Sequence, residues 1–187
     1  FACHARALGG QATVITRVGK DSFGCKIFEQ FEQLGIIQDE LQVDDNAHTG
    51  TVSVSLSGNG IPHYKIHEQA AWDYLAVTQT ALIAIRQADA ICFGSLAQRR
   101  EHSRADLQTL IASAPNSSLR IFDINLRQNY FSRYVIEASL VLANVLKLND
   151  EELKVLANMF SLTGSIQNQI EQLSQKFSLN TVALTQG

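Results

Sequence analysis

The sequence has little of what would mark a nucleic-acid-binding, membrane-spanning or disulfide-rich protein. Its 15 Lys and Arg residues stand against 18 Asp and Glu residues, so no basic excess is present to bind a phosphate backbone. No apolar run approaches the roughly 18 residues that a membrane-spanning helix needs. Only two prolines occur, and no proline-rich or low-complexity linker divides the chain. Its 187 residues therefore predict one sizeable globular domain with a small accessory element.

Cysteine is also scarce. The three cysteines, Cys3, Cys25 and Cys92, are odd in number and far apart in the sequence. This spacing fits neither a disulfide framework nor a metal-binding knuckle. We therefore expect free thiols and a cytoplasmic location.

Most of the chain alternates between strand and helix patterns. Short apolar segments rich in β-branched residues predict strands at 12–19, 89–94, 119–125, 144–148 and 180–185. Apolar residues at helical spacing predict helices at 21–35, 77–87, 103–113, 132–142, 150–160 and 165–177. This alternation indicates an α/β fold with a mostly parallel sheet covered on both faces. Such sheets bind ligands beyond the carboxyl ends of their strands.

Residues 51–67 follow a different pattern. Val52, Val54 and Leu56 alternate with serines, which predicts an antiparallel hairpin with one apolar and one polar face. We expect this hairpin to form a small sheet that projects from the main domain.

The first polar cluster at a strand end is "FDINLR" (122–127). In an extended chain Asp123, Asn125 and Arg127 point to one side and suit a phosphorylated or polyhydroxyl ligand. A structural Asp–Arg pair with a loop-capping Asn explains the same residues equally well.

Two further polar clusters follow the last two strands. Asn149 and Glu152 have the spacing of a capping box, in which each side chain hydrogen-bonds the other residue's backbone N–H. The same helix start can hold phosphate, and a nearby carboxylate can hold hydrated Mg²⁺. Thr185 and Gly187 at the end of the last strand suit a nucleotide phosphate, although such tripeptides are common in turns.

Taken in order, these motifs resemble the ribokinase/fructokinase (pfkB-type) family of ATP-dependent carbohydrate kinases. The matching segments are "LGGQATVITRVGKDSFG" (8–24), "HTGTVSVSLSGNG" (48–60), "FDINLR" (122–127), "LKLNDEE" (146–152) and "VALTQG" (182–187). They resemble, in turn, the family's N-terminal signature, its lid hairpin, and its D-x-N-x-R, N-x-x-E and T-x-G motifs. "FGSLAQR" (93–99) favours the fructokinase branch.

The resemblance implies a ribokinase-like three-layer α/β/α core at 1–42 and 76–187 and a β lid at 43–75. It further implies a homodimer formed through the lids.

Roles for the site residues follow from the same resemblance. Arg127 would contact the transferred phosphate or the sugar, in a pocket shaped by Asp123 and Asn125. ATP would lie near Asn149, Thr185 and Gly187, and Glu152 would organise Mg²⁺ through water.

Two other residues have a possible role in sugar binding. Trp72 would pack on the apolar face of the sugar, with core or hinge packing as the alternative. Gln98 would hydrogen-bond the sugar, and a loop-ordering role is equally consistent with the sequence.

Two parts of the family pattern have no match. The G-A-G-D motif with the catalytic Asp base would follow Gly187, and an early sugar-binding segment would precede Phe1. We therefore expect these 187 residues alone to be inactive and the parent protein to be a sugar kinase, with fructose as the favoured substrate. The alternatives are a kinase for another sugar, sugar acid or nucleoside, a non-catalytic regulatory relative that binds a sugar or nucleotide, and a generic α/β domain.

Overall fold

A computed structural model describes residues 1–58, 60 and 62–186. The chain divides into two compact units, Phe1–Ala81 and Leu82–Gly187, which are treated separately below. The division into a core and a lid at 43–75 stays a prediction.

In the first unit, a two-stranded parallel sheet lies beside two helices. Its elements are α1 (Ala2–Ala7), β1 (Thr16–Gly19), α2 (Ser22–Gln33) and β2 (Leu41–Asp44). β1 is shorter than the strand expected at 12–19, and β2 was not expected from the sequence. β2 has only four residues and forms by parallel pairing with β1, so its local pattern is weak.

The hairpin expected at 51–67 is present. β3 (Val52–Leu56) pairs antiparallel with β4 (Pro62–Ile66), while Asn59 and Ile61 lie outside the described residues. The register places Val52, Val54 and Leu56 opposite Ile66, Tyr64 and Pro62, which forms one apolar face. Every residue of β3 is exposed, so this face is uncovered within the described residues. A short 3₁₀ helix, Ala71–Tyr74, follows the hairpin.

The second unit contains a parallel sheet of four strands in sequential order. These strands are β5 (Ala90–Phe93), β6 (Leu119–Asp123), β7 (Val145–Asn149) and β8 (Thr181–Thr185). The helices of this unit are α4 (Glu101–Ala112), α5 (Arg133–Leu142), α6 (Asp150–Phe160) and α7 (Ile166–Phe177), and α3 (Gln79–Gln87) spans the boundary between the two units. A 3₁₀ turn, Leu96–Gln98, follows β5.

The core of this unit lies on one face of the sheet. Phe93, Phe122, Leu146 and Leu148 are buried there against residues of α4, α5, α6 and α7. Right-handed crossovers between sequential strands place all connecting helices on the same side, which explains this arrangement. The residues of the opposite face are half-buried or exposed. One row of register partners across this face consists of Cys92, Ile121, Val145 and Thr181.

Two expectations drawn from scarce residues are consistent with the structure. Cys3, Cys25 and Cys92 are all free thiols. Across the described ranges, no helix has both the length and the apolar character that crossing a membrane requires.

Candidate active site

The carboxyl end of β6 presents Asp123 beside a lysine of the neighbouring strand. Asp123 and Lys147 are register partners, and their Oδ1 and Nζ atoms lie 3.1 Å apart. Within the described residues Asp123 Oδ1 receives no hydrogen bond of good geometry, so the pair is held by charge. Sequence reasoning missed Lys147, although its place two residues before Asn149 put it on the same strand face.

Cys92 lies close to this ion pair without being reactive. Burial raises the pKa of the Cys92 thiol, and the Asp123 carboxylate raises it further. The thiol is therefore protonated near neutral pH and is a poor nucleophile.

The expectation that Asp123, Asn125 and Arg127 share one side of an extended chain was wrong. β6 ends at Asp123, and Asn125 has a φ of +42°, in the left-handed region that Asn tolerates better than most residues. The chain therefore turns between Asp123 and Arg127. Arg127 is exposed, and its Nη1 donates to the Leu126 carbonyl oxygen at 3.2 Å.

Asn149 and Glu152 form the capping box that their spacing predicted. The Glu152 N–H donates to Asn149 Oδ1 at 2.8 Å, and the Asn149 N–H donates to Glu152 Oε2 at 2.9 Å. This box begins α6 directly at the end of β7.

Glu152 also reaches the loop that follows β6. Its Oε1 accepts the Leu126 N–H at 2.9 Å, and the residue is 6% exposed. One buried carboxylate therefore connects the residue before Arg127 to the start of α6. This contact brings the D-x-N-x-R and N-x-x-E segments together.

The first turn of α6 carries Asp150 and Glu151 in addition to Glu152. The helix dipole attracts a phosphate to the start of α6, but three carboxylates there repel a phosphate that carries no metal ion. A divalent cation between the carboxylates and a phosphate would remove that repulsion.

A hydrated Mg²⁺ fits these residues. Mg²⁺ commonly uses one or two carboxylates together with substrate phosphates and waters. Each Glu152 oxygen accepts one backbone hydrogen bond and keeps a lone pair for a metal-bound water. No group of three or more His, Cys, Asp or Glu side chains in the described part of the chain could hold a metal by itself.

Thr185 lies beside Asn149 at the end of β8. The two residues are register partners, and Thr185 Oγ1 donates to the Leu148 carbonyl oxygen at 3.4 Å. Thr185 is exposed at this edge. Gly187, the other residue predicted to line the ATP site, lies outside the described residues.

Gln98 is fully buried and hydrogen-bonded to the protein. Its side-chain amide donates to the Gly94 carbonyl oxygen at 3.0 Å and to Ser139 Oγ at 2.8 Å. Its Oε1 accepts from Gln108 Nε2 at 3.2 Å. These contacts favour the loop-ordering role over the sugar-binding role, which stays a prediction.

Trp72 belongs to the first unit and is half-buried. Its indole lies against Gly50, where a Cβ atom would come within 2.2 Å of Trp72 Nε1. This contact fits the packing alternative, and the predicted sugar contact of Trp72 is untested.

The structure thus brings four predicted site residues to the carboxyl edge of β6, β7 and β8. We call Asp123, Asn149, Glu152 and Thr185 the strand-end cluster. Arg127 follows it in the loop held by Glu152.

Comparisons with known proteins identify relatives of this chain. A family model described as pfkB family carbohydrate kinase matches residues 1–187. An uncharacterized sugar kinase of Pyrococcus horikoshii is 29% identical over 157 residues, which cover 81% of this chain and 50% of that protein. A fructokinase of Escherichia coli is 27% identical over 188 residues, which cover 96% of this chain and 59% of that protein. The chain thus spans about half the length of the curated relatives it matches.

Solved structures show the same fold. The P. horikoshii sugar kinase in complex with ATP superposes with a TM-score of 0.75 at 28% identity, over 85% of this chain and 54% of that one. A fructokinase of Xylella fastidiosa superposes with a TM-score of 0.84 at 23% identity, over 100% of this chain and 58% of that one. The fold is therefore ribokinase-like, with parallel sheets, helices and a small antiparallel sheet, as the sequence predicted.

Proposed function

The chain belongs to the pfkB family of carbohydrate kinases, and we propose that the protein carrying it transfers the γ-phosphate of ATP to a sugar hydroxyl. Fructose is the favoured sugar, because several of the curated relatives are fructokinases. The free thiols support a cytoplasmic location.

The observation that carries this proposal is the double contact of Glu152. Phosphoryl transfer depends mainly on positioning and on charge stabilisation. By holding the Leu126 and Asn149 amides, Glu152 fixes the loop of Arg127 relative to the start of α6. An arginine and a metal-organising carboxylate on one rigid edge suit a transferring phosphate.

Each residue of the site has a distinct role in this proposal. Arg127 would hydrogen-bond the transferred phosphate, while Asp123 and Asn125 shape the sugar pocket. The nucleotide would lie against Asn149, Thr185 and Gly187. Glu152 would hold Mg²⁺ through water, and the metal, when bound, would neutralise charge on the phosphates.

Replacing Arg127 by Ala in the complete protein tests this proposal. We expect kcat/KM to fall by roughly 10²–10³, as for other groups that stabilise developing negative charge. Arg86→Ala is the matched control, since Arg86 is an exposed arginine at the end of α3. The assay measures phosphorylation of a panel of sugars with ATP and Mg²⁺.

Two results would contradict the proposal. Activity of Arg127→Ala within twofold of the unchanged protein would remove Arg127 from the mechanism. Sugar or nucleotide binding by the complete protein without phosphorylation would favour the non-catalytic regulatory relative.

The 187-residue chain by itself is expected to be inactive. It spans 50–59% of the two curated relatives described above, and phosphoryl transfer needs the full set of positioning groups and a base. ATP-dependent sugar phosphorylation by this chain alone would refute this part of the proposal.

The apolar hairpin face supports a homodimer formed through the lids. Val52, Val54, Leu56 and Tyr64 are 52–71% exposed, and an isolated two-stranded hairpin is marginally stable in water. In the complete protein, Val54→Arg is expected to give monomers by light scattering, whereas Ser55→Arg on the polar face should leave dimers intact. Equal masses for the two variants would count against this interface.

A further inference from the structure

A partly buried polar junction lies at the base of the hairpin. Asp21 Oδ2 accepts the Thr49 N–H at 2.8 Å, while Oδ1 accepts the Thr49 hydroxyl at 2.8 Å and the Gly24 N–H at 2.9 Å. Thr49 Oγ1 in turn accepts the Gly19 N–H at 2.9 Å. We call Gly19, Asp21, Gly24 and Thr49 the hairpin clamp. It joins β1 and α2 to the residue three positions before β3.

Both glycines of the clamp are needed for this close approach. A Cβ atom at Gly24 would lie 2.1 Å from the Gly19 carbonyl oxygen. A Cβ atom at Gly19 would lie 2.5 Å from the Thr49 nitrogen and 2.7 Å from Asp21 Oδ2. The "RVGKDSFG" segment (17–24) is therefore shaped around Thr49, since larger residues at these positions would push it away.

The segment that follows β4 is hydrogen-bonded to the segment that precedes β3. The Ala71 N–H donates to the His48 carbonyl oxygen at 2.7 Å, next to Thr49 in the sequence. The His67 N–H donates to the Thr51 carbonyl oxygen at 3.2 Å. Backbone hydrogen bonds therefore connect both strands of the hairpin to the clamp.

The hairpin strands contrast with this base. All residues of β3 are exposed, as are four of the five residues of β4. With little burial of its own, the hairpin depends on its base for a fixed direction.

We propose that Asp21 is a positioning residue that fixes the orientation of the hairpin by holding Thr49. In this proposal Asp21 acts through Thr49, and direct contact with the sugar or the nucleotide is not required. The consequence for catalysis rests on the proposed function and on the family resemblance, which implies that the hairpin is a lid over the sugar.

Hydrogen exchange of the 187-residue chain tests the clamp directly. In Asp21→Asn and Thr49→Val, we expect the paired amides of β3 and β4 to exchange at least about tenfold faster, because charge-assisted hydrogen bonds are lost. The amides of β5–β8 should be unchanged. Thr49→Ser keeps the hydroxyl and should restore slow exchange.

Asp45→Asn is the matched control, because Asp45 is 73% exposed and pairs only with exposed Lys20 among the described residues. Hairpin exchange at the unchanged rate in both clamp variants would overturn the proposal. So would an equal acceleration in β5–β8, because that pattern indicates general destabilisation.

A second measurement separates the clamp from the kinase activity. In the complete protein, Asp21→Asn should raise KM for the sugar at least about fivefold with a smaller change in kcat, because the loosened hairpin weakens sugar binding. Faster hairpin exchange in a protein without kinase activity would leave the clamp standing and refute the proposed function. If the complete protein is an active kinase and Asp21→Asn leaves the exchange rate of the hairpin amides unchanged, only the clamp proposal is refuted.

Discussion

Replacing Glu152 by Gln is expected to loosen the connection between the β6 loop and α6. The Gln side chain keeps one carbonyl oxygen, so its NH₂ group must face the N–H of either Leu126 or Asn149. The change removes one charge-assisted hydrogen bond and leaves a backbone donor unpaired at a site where the residue is 6% exposed. These two losses overlap and predict a decrease of about 2–3 kcal/mol in the free energy of unfolding.

Urea unfolding followed by far-UV circular dichroism measures this change. With a slope of roughly 1–3 kcal/mol per molar urea, the midpoint should fall by about 0.7–3 M. The single tryptophan, Trp72, lies in the other unit, so its fluorescence follows Phe1–Ala81 separately. The larger shift is expected in the dichroism.

Glu151→Gln is the control for this experiment. Glu151 is 75% exposed and pairs with Lys154 on the surface, so its replacement should change stability by less than about 1 kcal/mol. Equal stabilities for Glu152→Gln and the unchanged chain would show that the two backbone contacts of Glu152 contribute nothing. Equal losses for both variants would mean that total charge, and not the contacts, is responsible.

Three further predictions concern buried and partly buried groups. Backbone N–H groups, that of Thr49 first, lower the pKa of Asp21 from 3.8 to about 2. With solvent screening, this carboxylate contributes roughly 1–2 kcal/mol to the free energy of unfolding above about pH 4, and the contribution is lost as the pH falls toward 2. Urea unfolding followed by tryptophan fluorescence between pH 2 and 6 should show this loss. In Asp21→Asn the free energy of unfolding should depend less steeply on pH over this range. Gly24→Ala should destabilise the chain by about 2 kcal/mol in thermal unfolding because of the contact with Gly19, whereas an unhindered helical Gly→Ala change stabilises. Gln98→Ala should lower the free energy of unfolding by about 2–4 kcal/mol in the same thermal assay. A smaller loss than that of the exposed control Gln167→Ala would contradict the structural role of the buried Gln98.

Local patterns predicted much of the second unit. The strands β5 to β8 are short apolar segments between helices, and each was expected within two residues of its ends. The Asn149–Glu152 capping box was also predictable, because both partners lie within four residues. In the capping box the sequence neighbours are also the structural partners.

Contacts between distant residues were not predictable in this way. Gln98 finds Ser139 across 41 positions, and Glu152 finds Leu126 across 26. The turn at Asn125 was missed because alternating polar residues suggested an extended chain, whereas its φ is +42°. Each of these features depends on a fold that must already be formed.

The sequential order of β5 to β8 has a consequence for how the second unit forms. Neighbouring strands pair residues only 29, 24 and 36 positions apart, as in Ala90 with Leu119, Ile121 with Val145, and Val145 with Thr181. Each new strand can therefore add to the edge of the strand made just before it, with a modest entropic cost of loop closure. During synthesis from the amino terminus, the sheet can grow one strand–helix unit at a time, and β8 is the last of these four strands to add.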